Sequence, residues 1–478
     1  MTLEKFRNLI GGQWVGSAEW TANCNPADPG DVIGDFASAD VTQLAAAFDA
    51  ARNAQPSWAA ASPQFRFDVL DRAGEIILSR KAELGDLLAR EEGKSLPEAI
   101  AEAGRAGMIF KFFAGEALRL NGEILPSVRP GVKVEITREP VGVVGAITPW
   151  NFPIAIPAWK VAPALSYGNA VVLKPAEVAP ACAWKLAEIL VEAGAPDGVV
   201  NLVMGKGSVL GATLCELADA VTFTGSTEVG RRVLTATAAV GTKAQLEMGG
   251  KNPMIVLDDA DLDVAVNCAL QSAFFSTGQR CTASSRLIVT ETIADRFAEA
   301  LAQASDALIV GDPRDPRTQI GPVASREQFD SVRDYISGAV QEGAVMVAGG
   351  GKHNVPNEGY FIRPTLFDHT AASMTINREE IFGPVASIIR VSDYEEALAC
   401  ANDTEFGLTS GICTTSLAKA EHFKRNAQAG MTMVNLPTAG VDYHVPFGGS
   451  KASSHGPREQ GSYAREFFTQ VKTCYQTC

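Results

Sequence analysis

The chain has 478 residues, 46% of them hydrophobic and 20% charged, and 41 basic against 55 acidic residues give a net charge of −14. Such a length exceeds one ordinary hydrophobic core, so two or three soluble globular domains are expected. The acidic balance and the lack of any Lys/Arg block argue against nucleic-acid binding, and no apolar run reaches the roughly 18 to 20 residues of a membrane span.

Met1 to Phe6 lacks the basic-then-apolar order of a secretory leader, which points to the cytoplasm. The first 115 residues read as mostly helical, with Ala- and Leu-rich stretches at Val41 to Trp58 and Arg66 to Glu92. Gly122 to Val141 is rich in Pro and Gly, and the alternation Val132-Lys133-Val134-Glu135-Ile136 suits an exposed antiparallel strand in an arm. Short apolar strands follow at Val143–Ile147, Ala170–Leu173, Val199–Val203, Ala220–Phe223 and Lys243–Glu247, with helices near 157–166, 180–194, 207–216 and 227–237. A second series begins at Met254–Leu257 and continues as helix 261–275, strand 285–290 and helix 291–306. Strands of near-continuous apolar character separated by helices indicate parallel βαβ units. The expected fold is therefore α/β, with two doubly wound domains hinged at Met248-Gly249-Gly250-Lys251-Asn252 and a small β arm. The boundaries read as 1–118 with 141–248 for the first α/β domain, 249–460 for the second, and 119–140 with 461–478 for the arm. Nine scattered cysteines with no CxxC pair, and five histidines away from them, fit free thiols and no metal site.

Five stretches carry candidate chemistry. Cys281 sits in the polar, Gly-containing run Phe275 to Ala283, unlike the other cysteines. It is either a small core residue or a nucleophile whose thiolate the neighbouring Arg280 stabilises. Glu247 closes a strand before two glycines, where open α/β sheets place ligands; it is a solvated junction residue or a general base. Asn151, in Pro149-Trp150-Asn151-Phe152-Pro153, either shapes the turn or donates its amide to an oxyanion. Lys174 and Glu177 follow the next strand, as a surface ion pair or as ligands of a ribose, where a carboxylate would favour NAD over NADP. Gly225 and Ser226 turn a strand into a helix start, a place for phosphate, although a G-x-G-x-x-G fingerprint is absent.

These stretches, in this order, together with Glu379 to Val385 and Pro446 to Lys451, resemble the aldehyde dehydrogenase superfamily over essentially the whole chain. The resemblance implies an NAD(P)-dependent enzyme in which Cys281 is the nucleophile, Asn151 and the Cys281 amide hold the oxyanion, and Glu247 activates the deacylating water. It implies that Lys174 and Glu177 bind the adenosine ribose, Gly225, Ser226 and Trp150 the pyrophosphate, and Glu380 and Phe382 the nicotinamide end. The resemblance also implies that the first α/β domain is a Rossmann-like cofactor domain, the second a catalytic domain, and the arm an oligomerisation arm. Trp159-Lys160 and Arg458-Glu459 match the family's proton-relay stretches. Glu247 also argues for hydrolysis over acyl transfer to coenzyme A. Gly278 to Arg286 and Asn435 to Pro446 resemble members acting on α-ketoglutaric semialdehyde (2,5-dioxopentanoate). Arg280 then pairs with the distal carboxylate, and Trp159 and Phe447 line the substrate site. Succinate or glutarate semialdehyde, an aromatic aldehyde, and a non-catalytic structural member remain alternatives. A homodimer or homotetramer is expected, with no nucleic-acid or membrane partner.

Overall fold

The computed structural model describes residues 3–350 and 358–477; Met1, Thr2 and Cys478, which enter the expectations above, lie outside the described residues. Apolar runs such as Ala170–Lys174 and Ala220–Thr224 are buried at every residue, because helices cover both faces of their sheet. That first sheet has eight strands, in the order Ser454–His455, Lys243–Glu247, Ala220–Thr224, Val143–Ile147, Ala170–Lys174, Val200–Leu202, Asn8–Ile10 and Gln13–Val15. The five strands from Lys243–Glu247 to Val200–Leu202 are parallel, and the outer pairings are antiparallel.

From Val143–Ile147 the chain first winds outward through Ala170–Lys174 and Val200–Leu202. It then crosses back to place Ala220–Thr224 and Lys243–Glu247 on the opposite side. This reversal is a topological switch, and crevices open beyond the carboxyl ends of strands at such a point. Register puts those ends level: Ile147 lies opposite Lys174, Phe223 opposite Ile147, and Thr224 opposite Glu247.

The second sheet has seven strands, in the order Val345–Ala348, Thr365–Asp368, Val385–Val391, Ser284–Thr290, Asn252–Val256, Thr409–Cys413 and Met431–Val434. All its pairings are parallel except the first. Side-chain alternation divides its core: Met254, Val256, Leu287 and Val289 pack on one face, Ile255, Leu257, Ile288 and Ile389 on the other. A third, antiparallel sheet joins Glu123–Pro126, Val132–Pro140 and the C-terminal Thr469–Thr477.

Two features differ from the sequence reading. The first helix, Val41–Ala60, begins where expected, but residues 5–38 form five strands, because that polar, Gly- and Asn-punctuated stretch has no helical apolar stripe. The chain also rejoins the first sheet at Ser454–His455, so its passage through the second unit ends before residue 460. The pairing is decided by Leu246 and Glu247 meeting His455 and Ser454, a long-range contact that no local pattern announces. Among the described residues no helix is long and apolar enough to cross a membrane.

Candidate active site

The level strand ends open onto a cavity of about 280 Å³ whose walls include Trp150, Asn151, Ser226, Glu380 and Phe382. Ser226 caps the helix Thr227–Val240, its hydroxyl accepting from the Val229 amide. The Gly225 amide donates to the Glu247 carbonyl at 3.1 Å, which ties this turn to the neighbouring strand end. The buried hydroxyls of Thr224 and Thr227, on either side of Gly225-Ser226, have no hydrogen-bond partner. Unpaired hydroxyls at a helix N-terminus suit a phosphate, so these residues fit a dinucleotide.

Glu380 accepts from the Gly250 amide at 2.9 Å, and burial pushes its carboxyl up to about 7 against the pull of that amide and of Lys251. A Cβ at Gly249 would lie 1.9 Å from Glu380 Oε2, so only glycine lets this carboxylate approach the hinge. Phe382 has a φ of 57° and meets the Trp150 ring edge-on at 5.3 Å. A left-handed, non-glycine residue of this kind is held by its surroundings, a pattern concentrated at ligand sites.

Lys174 and Glu177 come together at the next strand end, beside the start of the helix Gly207–Leu217. Glu177 Oε1 accepts from the Gly207 amide at 2.6 Å, and Lys174 Nζ donates to the Pro175 carbonyl at 2.9 Å. Burial lowers the Lys174 ammonium to about 8. The carboxylate thus already satisfies the helix terminus that an incoming phosphate would otherwise use.

Cys281 lines both this cavity and a second one of about 510 Å³. Its loop is unusual: Ser276, Thr277 and Gly278 have φ values of 51°, 55° and 67° in succession. A Cβ at Gly278 would lie 2.1 Å from the Gly383 carbonyl, so the loop packs against backbone. Asn252 fixes the far side, donating to the carbonyls of Cys281 at 2.7 Å and Ala283 at 2.9 Å. Burial pushes the thiol up to about 12, helped by Glu380 and Glu247, while the amides of Cys281 and Thr282 pull it down.

The larger cavity is walled by Arg105, Phe152, Trp159, Arg280 and Phe447, with the Trp159 and Phe447 rings 5.4 Å apart. One expectation needs correcting here. Arg280 does not serve the thiolate as counter-cation, because its guanidinium lies 2.6 Å from Glu98, and backbone adjacency to Cys281 does not aim both side chains at one point. Glu98 is itself anchored by the Ser276 hydroxyl at 2.9 Å, so Arg280 braces the loop.

Asn151 is buried, lines the smaller cavity and donates from its amide nitrogen to the Gln279 carbonyl at 2.9 Å, which uses one of its two amide hydrogens. The main-chain carbonyl of Asn151 accepts from Lys94 Nζ at 2.8 Å, and Lys94 is paired with Glu102 at 2.6 Å. Glu102 also receives the Ile154 and Ala155 amides at 3.2 Å each. This buried lysine–carboxylate device orients the whole Trp150–Ala155 turn. Sequence reasoning missed Lys94, Glu102 and Arg105, although Glu98, Glu102 and Arg105 recur at helical spacing in an Ala-rich stretch.

Glu247 is buried and accepts from Ser454 Oγ at 2.5 Å; it lines neither of the two cavities. Burial holds its carboxyl well above the usual carboxylate range, and Glu459 adds to this. Lys160 forms a buried ion pair with Glu459 and donates to Thr222 Oγ1 at 2.8 Å. Burial lowers the Lys160 ammonium, against the opposing pull of Glu459 and Glu247. The two relay stretches named from sequence therefore meet each other next to Glu247.

The profile of the Aldehyde dehydrogenase family matches residues 14–474. The chain is 44% identical over 477 residues, 98% of each protein, to the "Alpha-ketoglutaric semialdehyde dehydrogenase" of Bacillus subtilis (strain 168). It is 42% identical over 478 residues, 98% of this chain and 99% of the relative, to the "Alpha-ketoglutarate semialdehyde dehydrogenase" of Haloferax volcanii. Among solved structures, betaine aldehyde dehydrogenase from Staphylococcus aureus in complex with NAD+ superposes with a TM-score of 0.96 at 33% identity, over 99% of this chain and 95% of that one.

Proposed function

The chain belongs to the aldehyde dehydrogenase family, an NAD(P)-dependent oxidoreductase, and we propose that it converts 2,5-dioxopentanoate to 2-oxoglutarate through a thioester on Cys281. The observation that carries this reading is that one thiol borders both cavities, so a carbonyl held in the larger one meets the dinucleotide cleft at that sulfur. The names of the relatives at 44% and 42% identity support the choice of aldehyde. We further propose the sheet-based division into a cofactor domain and a catalytic domain, and NAD over NADP, because Glu177 offers a carboxylate where a 2′-phosphate would need a cation.

In this mechanism the Cys281 thiolate adds to the aldehyde carbon and forms a thiohemiacetal. The second Asn151 amide hydrogen and the Cys281 amide meet the developing oxyanion. Trp150, Ser226, Glu380 and Phe382 would hold the dinucleotide, which would supply the hydride acceptor when bound. Glu247 then takes a proton from the water that cleaves the thioester, and the burial that raises its carboxyl makes the ionised form a stronger base than a free carboxylate. The Lys160–Glu459 pair beside it offers a route for that proton away from the site.

Removing the oxyanion donor has a specific signature. Asn151→Ala lowers kcat by about 10²–10³-fold in steady-state NADH formation, with a smaller change in KM, because the contact strengthens only as charge develops. The substrate assignment is tested by kcat/KM over 2,5-dioxopentanoate, succinate semialdehyde, pentanal and benzaldehyde. The acid semialdehydes exceed the neutral aldehydes by about 100-fold or more, with 2,5-dioxopentanoate highest. A maximum at benzaldehyde instead would overturn it.

The three-stranded sheet exposes Ile124 at 70% and Tyr475 at 61%, and the loop between its first two strands exposes Val128 at 101%. We read this apolar arm as the contact between subunits of a homo-oligomer. We assign the enzyme to the cytoplasm, where Cys281 stays reduced.

A further inference from the structure

The larger cavity has cations and acids on its walls, and most of them neutralise one another. Lys94 is paired with Glu102, and Arg280 with Glu98. Arg105 stands apart. It lies on the helix Leu96–Ala117, one and two turns beyond Glu102 and Glu98 on the same face, and it lines the cavity with Cys281. Among the described residues Arg105 makes no ion pair, and its one hydrogen bond is a long one, 3.4 Å from Nη2 to Gln460 Oε1. Its Nε is buried without a partner, and so is Gln460 Nε2 beside it. Gln460 is held in a left-handed conformation with φ 60°, next to the bridge between Phe447 and Glu459. Two orphaned donors thus lie side by side, and the cationic one belongs to a residue that lines the same cavity as the nucleophile. Glu102 and Asp442 bear on the Arg105 charge only from beyond ion-pair distance. Glu102 is moreover already engaged by Lys94 and two amides.

We propose that Arg105, and not Arg280, receives the distal carboxylate of the substrate, with Gln460 holding the guanidinium toward it. The inference rests on the acid-semialdehyde reading and names the residue that enforces it. A guanidinium offers a planar fork to a carboxylate, and one without an ion-pair partner, whose buried Nε is unsatisfied, is a vacancy that an anion fills. Arg280 lacks that vacancy, since Glu98 fills it.

The test compares 2,5-dioxopentanoate with pentanal in the wild type and in Arg105→Met, Arg105→Lys and Arg280→Met. In Arg105→Met, kcat/KM for the acid falls by about 100-fold, mainly through KM, and the acid-to-pentanal ratio falls by at least about 30-fold. Arg105→Lys retains part of the ratio, since the charge remains without the fork. Arg280→Met lowers both substrates in proportion and keeps the ratio. A second readout is independent of turnover: 2-oxoglutarate shields Cys281 from iodoacetamide in the wild type, and this shielding is lost in Arg105→Met. An acid preference that survives Arg105→Met and collapses in Arg280→Met would overturn the inference alone. A wild type that turns over pentanal as well as the acid would overturn the substrate reading, and the inference with it.

Discussion

Cys281→Ala abolishes aldehyde-dependent NADH formation, a loss of at least about 10⁴-fold in kcat, while dinucleotide binding persists. The size of the effect follows from covalent catalysis: without the sulfur no thiohemiacetal forms, and the remaining donors have no tetrahedral centre to stabilise. Binding of NAD+ is read from quenching of tryptophan fluorescence, since Trp150 lines the smaller cavity, the one proposed for the dinucleotide. The wild-type thiol adds a pH signature. With burial and two carboxylates holding it near 12, the free enzyme carries little thiolate at neutral pH. Alkylation of Cys281 by iodoacetamide, taken as the difference between wild type and Cys281→Ala, therefore rises about tenfold per pH unit between 7 and 10. A rate that is flat over this range would mean that the thiolate is already formed, and that a cation absent from the present arrangement stabilises it.

Glu247→Gln separates the two halves of the reaction. A burst of about one NADH per site remains, because acylation does not use the base, and steady-state turnover then falls by about 10²–10⁴-fold. Rapid-mixing absorbance distinguishes this from a loss of folding, which removes burst and turnover together. The pH dependence has a definite sign. A general base works when ionised, and burial beside Glu459 raises the Glu247 carboxyl. Wild-type kcat accordingly declines on acidification while the pH is still above the usual carboxylate range. Glu247→Gln lacks that limb. Turnover close to wild type in the glutamine variant would remove Glu247 from the reaction. Because Glu247 lines neither cavity and bonds Ser454, its action on the thioester requires a side-chain rotation or an intervening water. Ser454→Ala, which frees the carboxylate, distinguishes these by whether the deacylation rate rises.

Much of the architecture was legible in the chain. Runs such as Val143–Ile147 and Ala170–Lys174 are apolar at nearly every position because both faces are covered, and that pattern survives any detail of packing. The helix 291–306 was bounded to the residue, its apolar stripe ending where the charge pattern ends. The early strands were not legible, since 5–38 holds turns and single apolar residues that gain a partner only across the fold. Nor was the return strand Ser454–His455, two residues long and defined by its neighbour Lys243–Glu247.

The same division runs through the candidate site. By itself the sequence determined the family and the parallel sheets, because both stand in short local motifs and in the apolar patterning of the strands. Tertiary structure alone decided which charges are free. Arg280 is one residue from Cys281 yet is taken up by Glu98, whereas Arg105, 176 residues away, shares the cavity with an unpaired guanidinium. A charge is cancelled or left available by whatever stands within a few ångströms of it in space, and neighbours of that kind have no signature along the chain.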